Sequence, residues 1–368
     1  MGYNEIKHIL PAFDFQGRFV RVDEMTSGNI NATYHLVYRR DAGLSAEYTL
    51  QQINHNVFKE PASVMRNIEQ VTRHLRERYL RDGLDPSRRT LELIPTRAGD
   101  TMYGNDKVGY WRAYRFIDNV NVYDRIEKPA HFKEAGRAFG RFQKLLHDFP
   151  VENLAEIIPD FHNTQKRFYA FVAAVERDGA SRVRDVKPEI EFFLARWRIM
   201  GEIVERIADG TLPLRVTHND TKINNVMIDG ETDEAVCVID LDTVMPGSSL
   251  YDFGDAIRSG ASTADEDEED AGKIALDIDR FRLFSEGFLS ETCGFLARDE
   301  ILLLPLGAVV ITCELAMRFL TDYLDGDQYF KINSPEHNLI RARAQMKLLT
   351  DIEAKFEEMN RIVEGMIP

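Results

Sequence analysis

Cysteine is scarce in this chain. The three present, Cys237, Cys293 and Cys313, sit among apolar residues with neither a C-x-x-C pair nor a histidine partner, which argues against a disulfide scaffold or a zinc site and for buried thiols in a reducing compartment. Basic charge is in deficit as well. With 46 Lys and Arg against 61 Asp and Glu, the net charge is −15, so neither nucleic acid nor an anionic membrane is an expected partner. Long apolar runs are missing. The longest, residues 301–313, is broken by Pro305 and closed by Glu314, short of the roughly 20 residues a bilayer span requires. The N-terminus has no basic stretch followed by an apolar core, and no internal repeat or low-complexity linker interrupts the chain, so the expected location is cytoplasmic. A length of 368 residues suits two lobes sharing a cleft, with a small, uncharged substrate expected.

Against these absences, residues 217–255 stand out. The run Thr217-His-Asn-Asp-Thr-Lys-Ile-Asn-Asn225 has the H-x-D-x-x-x-x-N spacing of a phosphotransferase catalytic loop, in which Asp220 would accept a hydroxyl proton and Asn225 would hold Mg²⁺. Residues 226–228 and 235–239 are short β-rich runs joined through Asp229-Gly230, a hairpin signal. A hairpin returns the chain to its starting end, so Asn225 and Asp240 are expected to face each other. One amide oxygen and one carboxylate suit Mg²⁺, which takes few protein ligands. Asp252-Phe253-Gly254 spells another metal-binding triplet, but it lies 27 residues past Asn225, whereas Asp240 lies 15 past it and ends the return strand. The metal is therefore assigned to Asp240, and Asp252 to ordering the catalytic loop through hydrogen bonds. Alone, His218-x-Asp220 also reads as a polar turn; with Asn225 and Asp240 in place, the chemical reading is favoured.

The rest of the chain fits an α+β, bilobal, protein-kinase-like fold. Residues 1–117 read as a β-rich nucleotide-binding lobe with strands at 19–24, 31–39, 47–54, 91–96, 100–103 and 108–116. Between the first two, residues 26–31 form a short turn with a single glycine, Gly28, whose backbone N–H groups could cover ATP phosphates; an ordinary hairpin turn fits equally. A helix is expected over 61–80, with Val64, Ile68, Val71, Leu75 and Tyr79 on one face. Glu69 on it is either a partner for a strand cation or a solvated charge beside Arg66 and Arg73. Residues 118–368 read as a mainly helical catalytic lobe, with helices marked by Phe132 to Leu146 and over 188–208, 298–324 and 337–363. Glu314 and Arg318 are spaced i, i+4, as a helical ion pair or as an arginine aimed into a substrate pocket.

The catalytic-loop run, Ile239-Asp-Leu-Asp-Thr-Val-Met-Pro-Gly247, Asp252-Phe-Gly-Asp-Ala-Ile-Arg258 and Met317-Arg-Phe-Leu-Thr-Asp-Tyr-Leu324 together resemble the bacterial N-acetylhexosamine 1-kinases, members of the aminoglycoside phosphotransferase and choline kinase superfamily. The likeness extends from Asn31-Ala-Thr-Tyr to Pro335-Glu-His-Asn-Leu. It implies transfer of the γ-phosphate of ATP to the anomeric hydroxyl of N-acetylglucosamine or N-acetylgalactosamine. By motif position, Asp220 is then the base, Asn225 and Asp240 hold Mg²⁺, and Asp242, Arg318 and Tyr329 belong to the sugar pocket. The same resemblance puts Gly28, Asn29, Asn31 and Gln51 on the phosphate side of the cleft. Two departures stand out. Relatives carry Gly-His-Ile-Asn where this chain has Gly28-Asn29-Ile30-Asn31, and an asparagine cannot carry charge. Gln51 replaces the phosphate-binding Lys or Arg of broader kinase relatives, a feature shared by the subfamily that leaves ATP more dependent on metal and backbone. Competing readings are a kinase of another small alcohol (an aminoglycoside, choline or homoserine) and a catalytically silent nucleotide-binding regulator. The last predicts loss of Asp220, Asn225 or Asp240, and all are present.

Overall fold

The computed structural model describes residues 3–25 and 31–367. After a short helix, Tyr3–Ile6 (α1), come strands β1 (Arg18–Met25), β2 (Ala32–Arg39) and β3 (Ser45–Ile53), helix α2 (Pro61–Arg81), and strands β4 (Tyr103–Asn105) and β5 (Gly109–Arg115). The strands form one antiparallel sheet in the order β1-β2-β3-β5-β4. Two-residue alternation gives its faces different characters. Tyr34, Leu36 and Tyr38 of β2, Tyr48 and Leu50 of β3, and Trp111 and Ala113 of β5 bury one face against Phe13 and Phe15. The intervening residues, Thr33, Thr49, Gln51, Arg112 and Tyr114, turn the other face toward a cleft.

Helix α2 buries the five apolar residues its spacing predicts, in a core continuous with the following lobe. Its Asn67 amide donates to the carbonyls of Ala155 at 2.8 Å and Val244 at 2.9 Å, tying the helix to the large lobe. Glu69 points elsewhere: its side chain is 46% exposed and lies 3.8 Å from Arg73.

The remainder is mainly helical, as expected. Strand β6 (Val120–Asn121) and helices α3 (Pro129–Leu145), α4 (Thr164–Arg177), α5 (Lys187–Leu194) and α6 (Glu202–Ala208) precede the catalytic segment. That segment holds β7 (Arg215–Thr217), β8 (Val226–Asp229), β9 (Ala235–Val238), β10 (Met245–Gly247) and helix α7 (Ser249–Gly260). Helices α8 (Ile278–Thr292), α9 (Arg298–Leu302), α10 (Leu304–Leu324), α11 (His337–Ala354) and α12 (Phe356–Glu364) complete the chain. Among the described residues α10 is the one helix long and apolar enough to cross a membrane; it is largely buried within the protein, against α4, α7 and α11. The three cysteines are free, with Cys237 and Cys313 buried.

Several boundaries differ from the sequence expectation. Residues 91–96 run beside β5, with hydrogen bonds from Ile94 N–H to the Ala113 carbonyl and from Arg115 N–H to the Glu92 carbonyl, but form only isolated bridges. Pro95 there has no N–H to extend a ladder. The helix expected over 188–208 is two, α5 and α6, because the chain turns where Arg196 forks onto Glu353 of α11 at 2.7 and 2.8 Å. The helix expected over 298–324 restarts at Leu304, since Pro305 cannot donate to the preceding turn. The helix over 337–363 breaks at Lys355, whose ammonium turns aside to the Leu276 carbonyl at 2.6 Å. Helices α1, α4 and α7 were not expected.

One close approach bears on the site. A Cβ at Gly254 of α7 would meet the Gly307 carbonyl oxygen at 2.3 Å, and one at Gly307 would meet the Leu250 carbonyl oxygen at 2.1 Å. Only glycine lets α7 and α10 lie this close.

Candidate active site

The loop after β7 is shaped by α7. Ser248 caps that helix, and its first turns present Asp252 and Asp255 to the loop backbone. Asp252 accepts from the amides of His218 at 3.0 Å and Asn219 at 2.8 Å, and from the Gln143 side chain at 2.7 Å. Asp255 accepts from the Thr221 amide at 3.0 Å and is itself held by Arg258 at 2.9 Å. Burial pushes the Asp252 carboxyl up, against the opposing pull of His218 and its donors. The His218 ring is fixed at both nitrogens. Nδ1 receives the Asp220 amide at 3.3 Å, so Nε2 carries the proton and donates to the Ile239 carbonyl at 2.8 Å. Asn219 adopts a left-handed φ of 63°, which an asparagine tolerates, and this turns Asp220 out into the cleft.

Asp220 meets Lys222 at 2.9 Å and accepts from the Asn225 amide at 3.0 Å. Burial would push this carboxyl up, but Lys222, by its charge and hydrogen bond, with the Asn225 amide, outweighs it and holds it below its ordinary value. It is therefore an ionised acceptor with a cation at hand. The β8–β9 hairpin forms, with Val226 opposite Val238 and the Ile239 amide donating to the Asn225 carbonyl at 2.9 Å. Asn225 and Asp240 are thus brought to one end of the hairpin.

Asp240 stands in a left-handed φ of 59°. Among the described residues no donor reaches its carboxylate, which burial, then Asp242 and Asp220, push up to about 7. A lone carboxylate in the field of two others, beside an amide oxygen, fits a divalent cation: the ion would supply the opposite charge the protein does not. Among the described residues no group of three or more His, Cys, Asp and Glu side chains is arranged to hold a metal ion; Asn225 and Asp240 offer one amide and one carboxylate.

The cleft between the lobes has a volume of about 1260 Å³ including its mouth, and Asp220, Lys222, Asn225 and Asp240 line its floor. Gln51 lies on its roof, where its amide donates to Thr33 at 3.1 Å and its oxygen accepts from Arg112 Nε at 3.0 Å. Asn31 donates to Asp242 at 2.6 Å and accepts from the Asn54 amide at 3.0 Å. Asp242 is 2% exposed and takes both prongs of Arg112, which is 1% exposed. Gly28 and Asn29 lie outside the described residues.

On the other side of the catalytic loop, Phe161, His162, Asn163, Asn219, Met245 and Tyr251 help line a second cavity of about 630 Å³. Behind it Glu314 of α10, 1% exposed, meets His162 Nδ1 at 3.0 Å and Arg318 at 3.7 Å. Burial pushes the Glu314 carboxyl up, but His162 and Arg318 pull harder and it sits below its usual value. Arg318 lies over the rings of Phe161, Tyr329 and Phe330 at 5.7, 5.6 and 5.5 Å and donates to the Tyr329 hydroxyl at 3.4 Å. Tyr329 is 64% exposed.

The structure thus gathers Asp220, Asn225 and Asp240 in one cleft, with Asn31, Gln51 and Asp242 at its roof and edge, and keeps Arg318 and Tyr329 together on the opposite side. Sequence reasoning overlooked Lys222, Arg112 and His162. Lys222 was findable two residues after Asp220; Arg112 and His162 have no local signal, because strand pairing and helix packing bring them in.

A model of the phosphotransferase enzyme family matches residues 22–284. Among solved structures, the chain is similar to a microcompartment-associated aminopropanol kinase at 14% identity, covering 97% of this chain and 98% of that one with a TM-score of 0.61. A spectinomycin phosphotransferase solved with ADP and spectinomycin aligns at 12% identity over 97% and 99% of the two chains, TM-score 0.56. A choline kinase from Cryptosporidium parvum Iowa II aligns at 13% identity over 95% and 91%, TM-score 0.54. At these identities the likeness is one of fold.

Proposed function

The chain belongs to the phosphotransferase enzyme family, and from that footing we propose that it transfers the γ-phosphate of ATP to the anomeric hydroxyl of an N-acetylhexosamine, giving the sugar 1-phosphate. The acceptor class is supported by one observation above all: the aromatic cluster on the acceptor side already holds a cation, the protein's own Arg318, beside Arg167, whose pKa is lowered by burial and then by the Arg318 charge. A quaternary ammonium needs vacant aromatic faces or nearby free acids. Here Arg318 already lies against the three rings, Glu314 is committed to His162 and Arg318, and Asp160 of the cavity wall is paired with Lys166. Choline and amino alcohols are thereby disfavoured, and a neutral polyol, held by hydrogen bonds and ring stacking, is favoured. Among neutral acceptors, the motifs running from the catalytic loop to Arg318 and Tyr329 favour an N-acetylhexosamine.

In this reading Asp220, kept ionised by Lys222, orients the acceptor hydroxyl and takes its proton as the acceptor oxygen bonds to the γ-phosphorus and the bond to the departing ADP oxygen breaks. Asn225 and Asp240 would hold Mg²⁺, which when bound neutralises charge on the phosphate oxygens. Asp252 and Asp255 keep the loop amides, and so Asp220, in place. Arg318 and Tyr329 contact the sugar, while Asp242, buried and held by Arg112 and Asn31, supports the turn that carries Asp240 rather than the sugar contact the resemblance implies. Residues 1–117 form the nucleotide lobe, with Gly28, Asn29, Asn31 and Gln51 on the phosphate side, and residues 118–368 the catalytic and sugar lobe. We place the enzyme in the cytoplasm, where ATP and free sugars meet.

The test is ATP consumption with Mg²⁺ against N-acetylglucosamine, N-acetylgalactosamine, choline, aminopropanol, homoserine and an aminoglycoside. The expected result is turnover with the N-acetylhexosamines alone. Turnover with an amine acceptor and none with the sugars contradicts the proposal.

A further inference from the structure

The strand residue expected to carry a phosphate-facing cation is Gln51, which has no charge. The strand beside it supplies one. Arg112 of β5 is the direct register partner of Gln51 on β3, so both side chains leave the same face of the sheet. Arg112 Nε donates to Gln51 Oε1 at 3.0 Å, and its two terminal nitrogens engage both oxygens of Asp242 in a bidentate fork. Asp242 lies two residues beyond Asp240 in the large lobe and also accepts from Asn31, at the end of the phosphate-side turn. One guanidinium thus joins the nucleotide-lobe sheet to the turn that carries Asp240.

A buried ion pair is a poor source of net stability, because desolvating both charges cancels most of their attraction. Its position is what matters here. Of the three acids at this end of the cleft, Asp220 is matched by Lys222 at 2.9 Å and Asp242 by Arg112, leaving Asp240 uncompensated. The other cleft-lining arginine, Arg115, is held by Glu92 at 3.1 Å.

Resting on the kinase reading above, we propose that Arg112 is a positioning residue for the nucleotide: it cancels the charge of Asp242 so that only Asp240 meets the metal and phosphates, and it fixes the Asp240 turn against strand β3. The cation missing at position 51 is thereby supplied from the adjacent strand, without Arg112 itself having to touch phosphate. Lysine cannot replace it fully, because a single ammonium cannot bridge Gln51 and both carboxylate oxygens.

The test is calorimetric titration of the full chain with Mg·AMP-PNP, beside steady-state kinetics. Arg112→Gln leaves two uncompensated carboxylates facing the phosphates, and affinity for Mg·AMP-PNP should fall roughly 10- to 100-fold. The sugar KM should stay within about twofold, because the lost interaction is not made with the acceptor. Arg112→Gln/Asp242→Asn removes both charges, so it should recover most of the lost nucleotide affinity. Wild-type affinity in Arg112→Gln overturns the proposal, as does a rise confined to the sugar KM. A double variant no better than Arg112→Gln also overturns it, since Arg112 would then act on phosphate directly. Should Arg112→Gln not fold, Arg112→Lys carries the same readout: weaker nucleotide binding supports the bridge, and unchanged binding overturns it. The titration uses no acceptor, so it stands apart from the kinase assignment, which fails instead if wild-type protein transfers phosphate to no sugar.

Discussion

The catalytic loop and the proposed acceptor side are both organised by buried carboxylates, but the two sets grip different things. Asp252 and Asp255 hold three backbone amides of the loop at 2.8 to 3.0 Å, all from one helix. Glu314 holds two side chains, His162 and Arg318, one of them from a distant part of the chain. A backbone gripped in this way has one shape whatever the neighbouring side chains are, which suits a base that must meet every acceptor in the same geometry. A side-chain grip can be altered residue by residue, which suits the part of a kinase that selects its alcohol. The Gly254–Gly307 contact packs the helices carrying the two sets against each other.

The strongest way to test this division is to remove the groups that face the reaction. Asp220→Asn should lower kcat by roughly 10²- to 10⁴-fold while thermal unfolding changes little, because the work proposed for it is proton transfer. Asp240→Asn should come close to the same loss, again with the fold intact. Asp252→Asn should reverse the ranking. An amide cannot accept all three of its hydrogen bonds, so stability should fall by about 1 to 3 kcal/mol, with the loss of turnover following from a loosened loop. Comparing kcat with the unfolding midpoint of each variant checks all three. If Asp252→Asn lost turnover without stability while Asp240→Asn kept its activity, the metal would belong at Asp252.

On the acceptor side a smaller, selective effect is expected. Arg318→Ala should raise the sugar KM roughly tenfold and leave the ATP KM nearly unchanged, since a lost polar contact weakens only the ligand it touches. Equal, slight shifts in both would return Arg318 to a purely structural part.

The smallest effect is a pH dependence. Asp240 is raised from about 3.8 to about 7 in the folded protein, so without metal its proton is retained on folding. Its penalty is absent below pH 3.8, grows as pH rises toward 7, and is complete above that. Metal-free protein should therefore unfold at a lower temperature at about pH 8 than at about pH 5, with Mg²⁺ restoring part of the difference. Asp252 is shifted in the same direction and remains in Asp240→Asn, so the informative quantity is how much that variant flattens the profile.

The same contrast explains what the sequence made legible. The H-x-D-x-x-x-x-N run, the hairpin and the return to Asp240 are local: each partner lies within a few tens of residues, and turn chemistry together with strand alternation brings them together. The small-lobe strands and α2 follow from periodicity for the same reason. Residues 91–96 look like a strand because their composition is β-rich, and only the path beside β5 and the missing N–H of Pro95 keep them out of the sheet. Arg112 could be reached from sequence only by knowing that β5 pairs with β3 in the register Gln51 to Arg112. His162 was out of reach altogether, since its partner Glu314 lies 152 residues away and no pattern links them. The i, i+4 spacing of Glu314 and Arg318 suggests a surface pair, whereas Glu314 is buried, Arg318 half-buried, and the closer partner of Glu314 is His162.

The measurement that tests the central claim most directly is the position of the transferred phosphate. With Asp220 as base, the acceptor is whichever hydroxyl is held in line with the γ-phosphate, and the proposal makes it the anomeric one. The product formed from N-acetylglucosamine or N-acetylgalactosamine should show ³¹P coupling to the anomeric proton. A 6-deoxy N-acetylhexosamine should still react, and a 1-O-methyl glycoside, with no proton for Asp220 to take, should not. Phosphorylation at O6, or turnover of the methyl glycoside, would contradict the account while leaving the phosphotransferase family assignment in place.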